Sequence, residues 1–126
     1  MALGWFLLAL YSLFVFISSV MPVREIPSAI TRINDKILHQ VVYFWLFWIA
    51  INAFLRARQI FLREQAASLS FLYCLFFGGF TEWAQSFTAD RTAEWGDWFA
   101  DIAAGLLGFI FYHLLKKLGA KRGAQK

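Results

Sequence analysis

The sequence predicts an all-α polytopic membrane protein, a four-transmembrane-helix bundle with its N- and C-termini cytoplasmic. Three observations predict it. The 126 residues are 60% hydrophobic, 20% aromatic and only 16% charged, whereas a soluble domain averages about 45 to 50% apolar and about 25% charged. The apolar residues fall into four long runs separated by short polar stretches. The basic residues lie between those runs and in the tail, so the net charge of +4 and the pI near 9.5 mark membrane topology and not a nucleic-acid surface. Cys74 is alone and sits in an apolar run, so no disulfide framework forms within the chain and a small packing residue is expected there.

The first run, 3–21, holds nineteen uncharged residues and is closed by Pro22. A bilayer core about 30 Å thick needs about 20 residues at 1.5 Å each, so this run spans. It has no basic leader and no A-x-A site after it, and a retained helix is expected over a signal peptide. The stretch 22–34 carries both prolines with Arg24, Glu25, Ser28, Thr31 and Arg32, which is loop chemistry. The second span, 35–55, has no charged residue past Lys36 except His39. Asn34 or Asp35 is placed to cap its start, where the helix dipole favours negative charge. Asp35, His39 and Tyr43 recur at four-residue intervals, so a carboxylate, an imidazole and a phenol share one stripe.

Arg56, Arg58 and Arg63, with Glu64, make a basic connector. The third span, 65–86, is uncharged up to Thr81 and then reaches Glu82; Gly78 and Gly79 allow another backbone to approach just before it. Glu82 and Gln85, three apart, share a face. A short polar segment with Arg91 follows. Thr92 is a plausible N-cap for the fourth span, 94–115, and Glu94 falls in its first turn. The uncharged part, 102–115, is fourteen residues, or about 21 Å of helix. Either Asp101 lies at hydrocarbon depth or the segment is re-entrant, and the first is expected. Ala100, Ala104 and Gly108 form a small-residue stripe with Asp97, Asp101 and Gly105 beside it, so the acid-bearing face is also the face built to pack. A basic tail, 116–126, completes a single domain covering 1–126.

With four spans, the N-terminus, the 56–64 connector and the tail share one side and hold eight of the twelve Lys and Arg residues. The positive-inside rule makes that side cytoplasmic. Seven of the eight acids then lie at the outer end with Lys36, His39, Gln85 and Arg91. Trp83, Trp95 and Trp98 suit an interfacial aromatic belt there. An ionised side chain at mid-membrane costs roughly 2.5 to 3.5 kcal/mol on insertion scales, so charges retained there call for a partner or a function.

The pattern Asp35-Lys36-x-x-His39-x-x-x-Tyr43, then Glu82-x-x-Gln85-x-Phe87, Arg91, Asp97 and the small-residue helix 101–108 resembles the VanZ-like membrane proteins, with Asp101 where that family often carries Asn and a glycine at 105 in place of 104. The resemblance implies a bacterial multi-span protein of the cytoplasmic membrane. The family's namesake is linked to low-level resistance to the glycopeptide teicoplanin.

The candidate cluster is therefore Asp35, Lys36, His39, Tyr43, Glu82, Gln85, Arg91, Asp97 and Asp101, with Gly78, Gly79, Ala104, Gly105 and Gly108 as packing positions. For His39 the plain expectation is a structural bond to Asp35 or Tyr43. For Arg91, recognition of an anionic group at the outer leaflet and an internal ion pair with Asp97, Asp101 or Glu82 are equally supported. Three functions follow: a binder of an anionic lipid or lipid-linked envelope precursor, a membrane-embedded acid/base enzyme using the acids and a divalent cation, and a proton-coupled lipid transporter. The first is preferred. No H-E-x-x-H, no nucleophile beside a base and no Gly-rich phosphate loop is present, so no catalytic signature is recognised and neither a cofactor nor a resident metal is expected. The expected partners are membrane lipids and lipid-linked cell-envelope precursors; nucleic acid is not expected, and a homo-oligomer is compatible with the sequence.

Overall fold

The computed structural model of the protein describes residues 2–21, 35–88 and 94–123. These residues form five helices: α1 (Ala2–Val20), α2 (Asp35–Leu55), α3 (Ile60–Glu64), α4 (Ala66–Gln85) and α5 (Trp95–Gly123). No strand occurs among the described residues, whose regular structure is all helical. Three of the helical stretches, Ala2–Val20, Lys36–Leu55 and Trp95–Lys121, are long and apolar enough to cross a membrane. Helix α4 is similar in length, but Thr81, Glu82 and Gln85 make its last turns polar.

The bundle is built round α2. Its buried residues Tyr43, Leu46, Phe47, Ala50, Ile51 and Ala53 recur at the three- and four-residue steps that keep side chains on one side of a helix. Helices α1 and α5 each pack against both α2 and α4, and α2 packs on α4. Cross-helix contacts give the directions. Tyr11 donates to the Val42 carbonyl at 3.1 Å while Trp5 meets Phe54, so α1 and α2 are antiparallel. Ser12 bonds Tyr73 at 2.7 Å and Phe16 stacks on Phe80, so α1 and α4 run the same way. His39 faces Asp101 and Trp48 faces Tyr112, so α2 and α5 are parallel. The four long helices therefore alternate in direction along the chain.

The outside of this bundle is apolar. Leu3, Phe6, Leu10, Phe14, Val41, Trp45, Phe76, Leu107, Phe111 and Leu118 are exposed, while small or polar residues such as Gly4, Ser12, Ser70, Ala104 and Gly108 face inward. That is the inverse of a water-soluble protein. With lipid outside, no hydrophobic force drives helices together, and close packing with a few interhelical hydrogen bonds does so instead. Gly108 shows the tightness: a Cβ there would lie 2.6 Å from Cδ1 of Phe47.

The basic connector after α2 contains the short helix α3, a detail the sequence reading leaves open. One feature departs from that reading. Helix α5 continues to Gly123, through Lys116, Lys117 and Lys121, so the expected tail is largely an extension of the last helix. Leu, Ala and Lys are good helix formers and nothing breaks the ladder there.

Candidate functional site

The N-terminal end of α2, the C-terminal end of α4 and the N-terminal end of α5 meet at one end of the bundle. Each helix delivers ionisable or hydroxyl side chains to their shared interior. From α2 come His39, 11% exposed at its side chain, and Tyr43, fully buried. From α4 come Thr81, Glu82 at 8% exposure and the buried Gln85. From α5 come Asp97 and, one turn further in, Asp101 at 0% exposure. Residues four apart on a helix lie above one another, so the two aspartates follow a single line into the bundle.

His39 Nδ1 and Asp101 Oδ1 meet at 2.9 Å. The expected partners of His39 are Asp35 or Tyr43; the Asp35 side chain lies outside the described residues, and the structure places Asp101 against His39. Its partner is on another helix, because the face that α2 turns inward at His39 is the face on which α5 packs. Close approach at this level depends on Gly78: a Cβ there would meet Asp101 Oδ2 at 3.1 Å, Asp101 Cβ at 3.2 Å and Trp98 Cδ1 at 3.3 Å. Trp98 also donates its indole N–H to the Leu75 carbonyl at 3.1 Å, which ties α5 to α4 beneath the aspartates.

Tyr43 takes part through a hydroxyl chain. Thr81 Oγ1 donates to the Gly78 carbonyl at 2.9 Å and lies 2.8 Å from the Tyr43 hydroxyl. A threonine has one hydroxyl proton, so with that proton on Gly78 the Tyr43 O–H is the donor to Thr81. The rings of Tyr43 and His39 are parallel to within 2°, with centroids 6.3 Å apart.

Glu82 closes the site from the α4 side. Its Oε2 accepts the backbone N–H of Glu94 at 3.2 Å, one of the donors that a helix start leaves without an intrahelical partner. Its Oε1 is buried and has no hydrogen-bond partner among the described residues. One imidazole nitrogen of His39, one oxygen of Glu82 and one of Asp101 lie within 4.8 Å of one another. At the mouth, the exposed Lys36 brings its Nζ to 3.4 Å from where a Cβ on Gly96 would sit. Trp83, Phe87 and Trp95 are exposed around the same end.

Of the nine residues expected in the cluster, His39, Tyr43, Glu82, Gln85, Asp97 and Asp101 converge, and Lys36 stands at the edge. Arg91 and Thr92 lie outside the described residues, as does the Asp35 side chain. Of the packing positions, Gly78 and Gly79 face Trp98 on α5, Gly105 faces Cys74 and Phe71 on α4, Gly108 faces Phe47 on α2, and Ala104 is buried. Thr81 and the Glu94 backbone N–H were not expected in the site. A hydroxyl three residues after a glycine in an apolar helix was the available signal for Thr81.

No solved structure matches the chain. It is 36% identical over 101 residues to Uncharacterized protein C11E3.10 of Schizosaccharomyces pombe (strain 972 / ATCC 24843), a match covering 79% of this chain and 57% of that protein. The chain thus spans little more than half the length of this curated relative. The family model described as VanZ/LLP1 matches residues 3–116. That match takes in α2 and α4 whole, α1 from its second residue, α5 as far as Lys116 and every described residue of the polar cluster, and on it the chain belongs to the VanZ/LLP1 family.

Proposed function

We propose that this protein is a four-span integral protein of the bacterial cytoplasmic membrane, with both termini cytoplasmic, that binds the anionic headgroup of a lipid or lipid-linked envelope precursor at the outer leaflet. By holding such a precursor it would contribute to glycopeptide tolerance of the teicoplanin kind. The observation that carries the reading is the placement of Glu82, Asp97, Asp101 and His39 inside one end of an otherwise apolar bundle. Groups so costly to bury mark a functional site by default. The exposed Trp83 and Trp95 at that end suit the headgroup level of a membrane. Lys36 at the mouth supplies a cation of the kind an anionic headgroup needs, and Arg91, outside the described residues, is the second basic residue the sequence offers for that role.

Native mass spectrometry of the purified protein with phosphatidylglycerol and, separately, phosphatidylcholine tests this. Selective retention of the anionic lipid, lost in the double variant Lys36→Ala/Arg91→Ala, is expected. Equal retention of both lipids, or an unchanged preference in the variant, overturns it. A second reading, acid/base chemistry or proton-coupled lipid transport at the same cluster, draws on the His39–Asp101 bond at 2.9 Å, because a carboxylate that orients an imidazole is the usual partner of a proton-transferring histidine. Loss of lipid turnover or lipid movement in His39→Ala, with anionic-lipid binding intact, is the result that would favour it.

A further inference from the structure

The three donors that meet inside the bundle come from three helices: His39 on α2, Glu82 on α4 and Asp101 on α5, with one ligand atom of each within 4.8 Å of the others. A second observation points to something held between them. The Glu82 side chain is more than nine-tenths buried. One of its oxygens is fixed by the Glu94 N–H at 3.2 Å, while the other is buried with no hydrogen-bond partner among the described residues. A buried polar atom left in that state is costly unless a ligand completes it. The charge of the trio points the same way. A dication balances both carboxylates and leaves the imidazole neutral.

We propose that His39, Glu82 and Asp101 form a binding site for one divalent transition-metal ion of the Zn2+ or Mn2+ kind. A dication holding its donors at about 2.0 to 2.2 Å brings any two of them to about 3 to 4 Å. His39 Nδ1 and Asp101 Oδ1 already stand at 2.9 Å, and a side-chain movement of about 1 Å brings in the third donor. The ligand set selects the class of ion. Ca2+ takes about 6 to 8 oxygens and Mg2+ keeps most of its waters, so a site with an imidazole and two carboxylates suits neither. Imidazole suits Zn2+ and carboxylate suits Mn2+. Three protein ligands leave at least one coordination position open, the arrangement of an ion that meets a second molecule and not of a purely structural one. Positions 39, 82 and 101 share no local spacing, so no motif announces the site, and only the packing of the three helices assembles it.

This inference stands apart from the lipid reading, because the ion binds with no lipid added. The protein is purified in detergent, stripped with EDTA, dialysed against micromolar ZnCl2 or MnCl2 and assayed for metal per protomer by inductively coupled plasma mass spectrometry. Thermal unfolding is followed by tryptophan fluorescence. We expect about one ion per protomer, a higher unfolding midpoint with metal, and at least about a tenfold loss of affinity in Glu82→Gln and in His39→Ala, since even outer-shell changes weaken metal sites by that much. His113→Ala, at the far end of α5, should bind as the wild type does. Substoichiometric metal in the wild-type protein with both ions overturns the proposal, whatever the folding of the variants. So does undiminished binding in either Glu82→Gln or His39→Ala, or a loss confined to His113→Ala.

Discussion

The bond between His39 and Asp101 sets the chemistry of the site and its vulnerability. Removing Asp101 leaves an imidazole in a bundle interior without its carboxylate, and breaking a buried pair from one side costs about 3 kcal/mol or more. Asn at position 101 keeps an acceptor for the imidazole N–H and nearly the same shape. Asp101→Leu is therefore expected to lower stability by about 3 kcal/mol and Asp101→Asn by only about 1 kcal/mol, measured by detergent unfolding in chelator. Equal losses would mean that the pair acts through volume alone. The hydroxyl chain is a weaker link. A double-mutant cycle of Tyr43→Phe with Thr81→Val should return a coupling of about 0.6 kcal/mol, the average for interhelical hydrogen bonds in membranes. At this scale the sequence was legible in part: an acid or a histidine within an apolar run stands out, and His39, Glu82 and Asp101 were all found that way. Their pairing was not legible. The four-residue recurrence of Asp35, His39 and Tyr43 describes a face of α2, but the partner of a face lies on whichever helix packs there, and His39 meets a residue 62 positions away.

Helices are the scale at which small residues matter. The sequence marks Gly78, Gly79, Ala104, Gly105 and Gly108 as packing positions without ranking them, because spacing says which residues share a face and nothing of the distance to the next backbone. The structure supplies that distance. A Cβ at Gly108 would lie 2.6 Å from Cδ1 and 2.8 Å from Cγ of Phe47, whereas one at Gly79 would make ordinary contact with Trp98 Nε1 at 3.5 Å. Gly108→Ala should therefore destabilise by about 1 to 3 kcal/mol through overpacking. Gly79→Ala should be neutral or gain up to about 1 kcal/mol from helix propensity. Comparing the two variants by thermal unfolding in one detergent checks this, and the reverse order would contradict the placement of α5 against α2. Helix lengths were less legible at the C-terminal end. Charge suggested where a span should stop, but α5 continues to Gly123 because leaving an apolar environment does not end a helix whose residues favour it.

The molecule as a whole is arranged by the sign of its surroundings: apolar side chains outward, polar side chains inward, and two ends of different charge. The alternating directions of α1, α2, α4 and α5 place the start of α1 and the connector between α2 and α4 at one end, and the polar cluster at the other. Composition made the membrane class legible, since 60% hydrophobic residues with 16% charged cannot all be hidden in a small domain. Sidedness rests on charge counting alone, and it decides whether the site faces extracytoplasmic or cytoplasmic ligands. The lone cysteine makes the measurement clean, because Cys74 is fully buried and should not react in the folded protein. A cysteine introduced by Thr88→Cys, beside the site, should be labelled by a membrane-impermeant maleimide on intact cells. One introduced by Arg58→Cys or Gly119→Cys, at the basic end, should be labelled only after the cells are broken. The opposite pattern would place His39, Glu82 and Asp101 at the cytoplasmic face, where an outer-leaflet precursor could not reach them, and the lipid reading would fall while the metal site would stand.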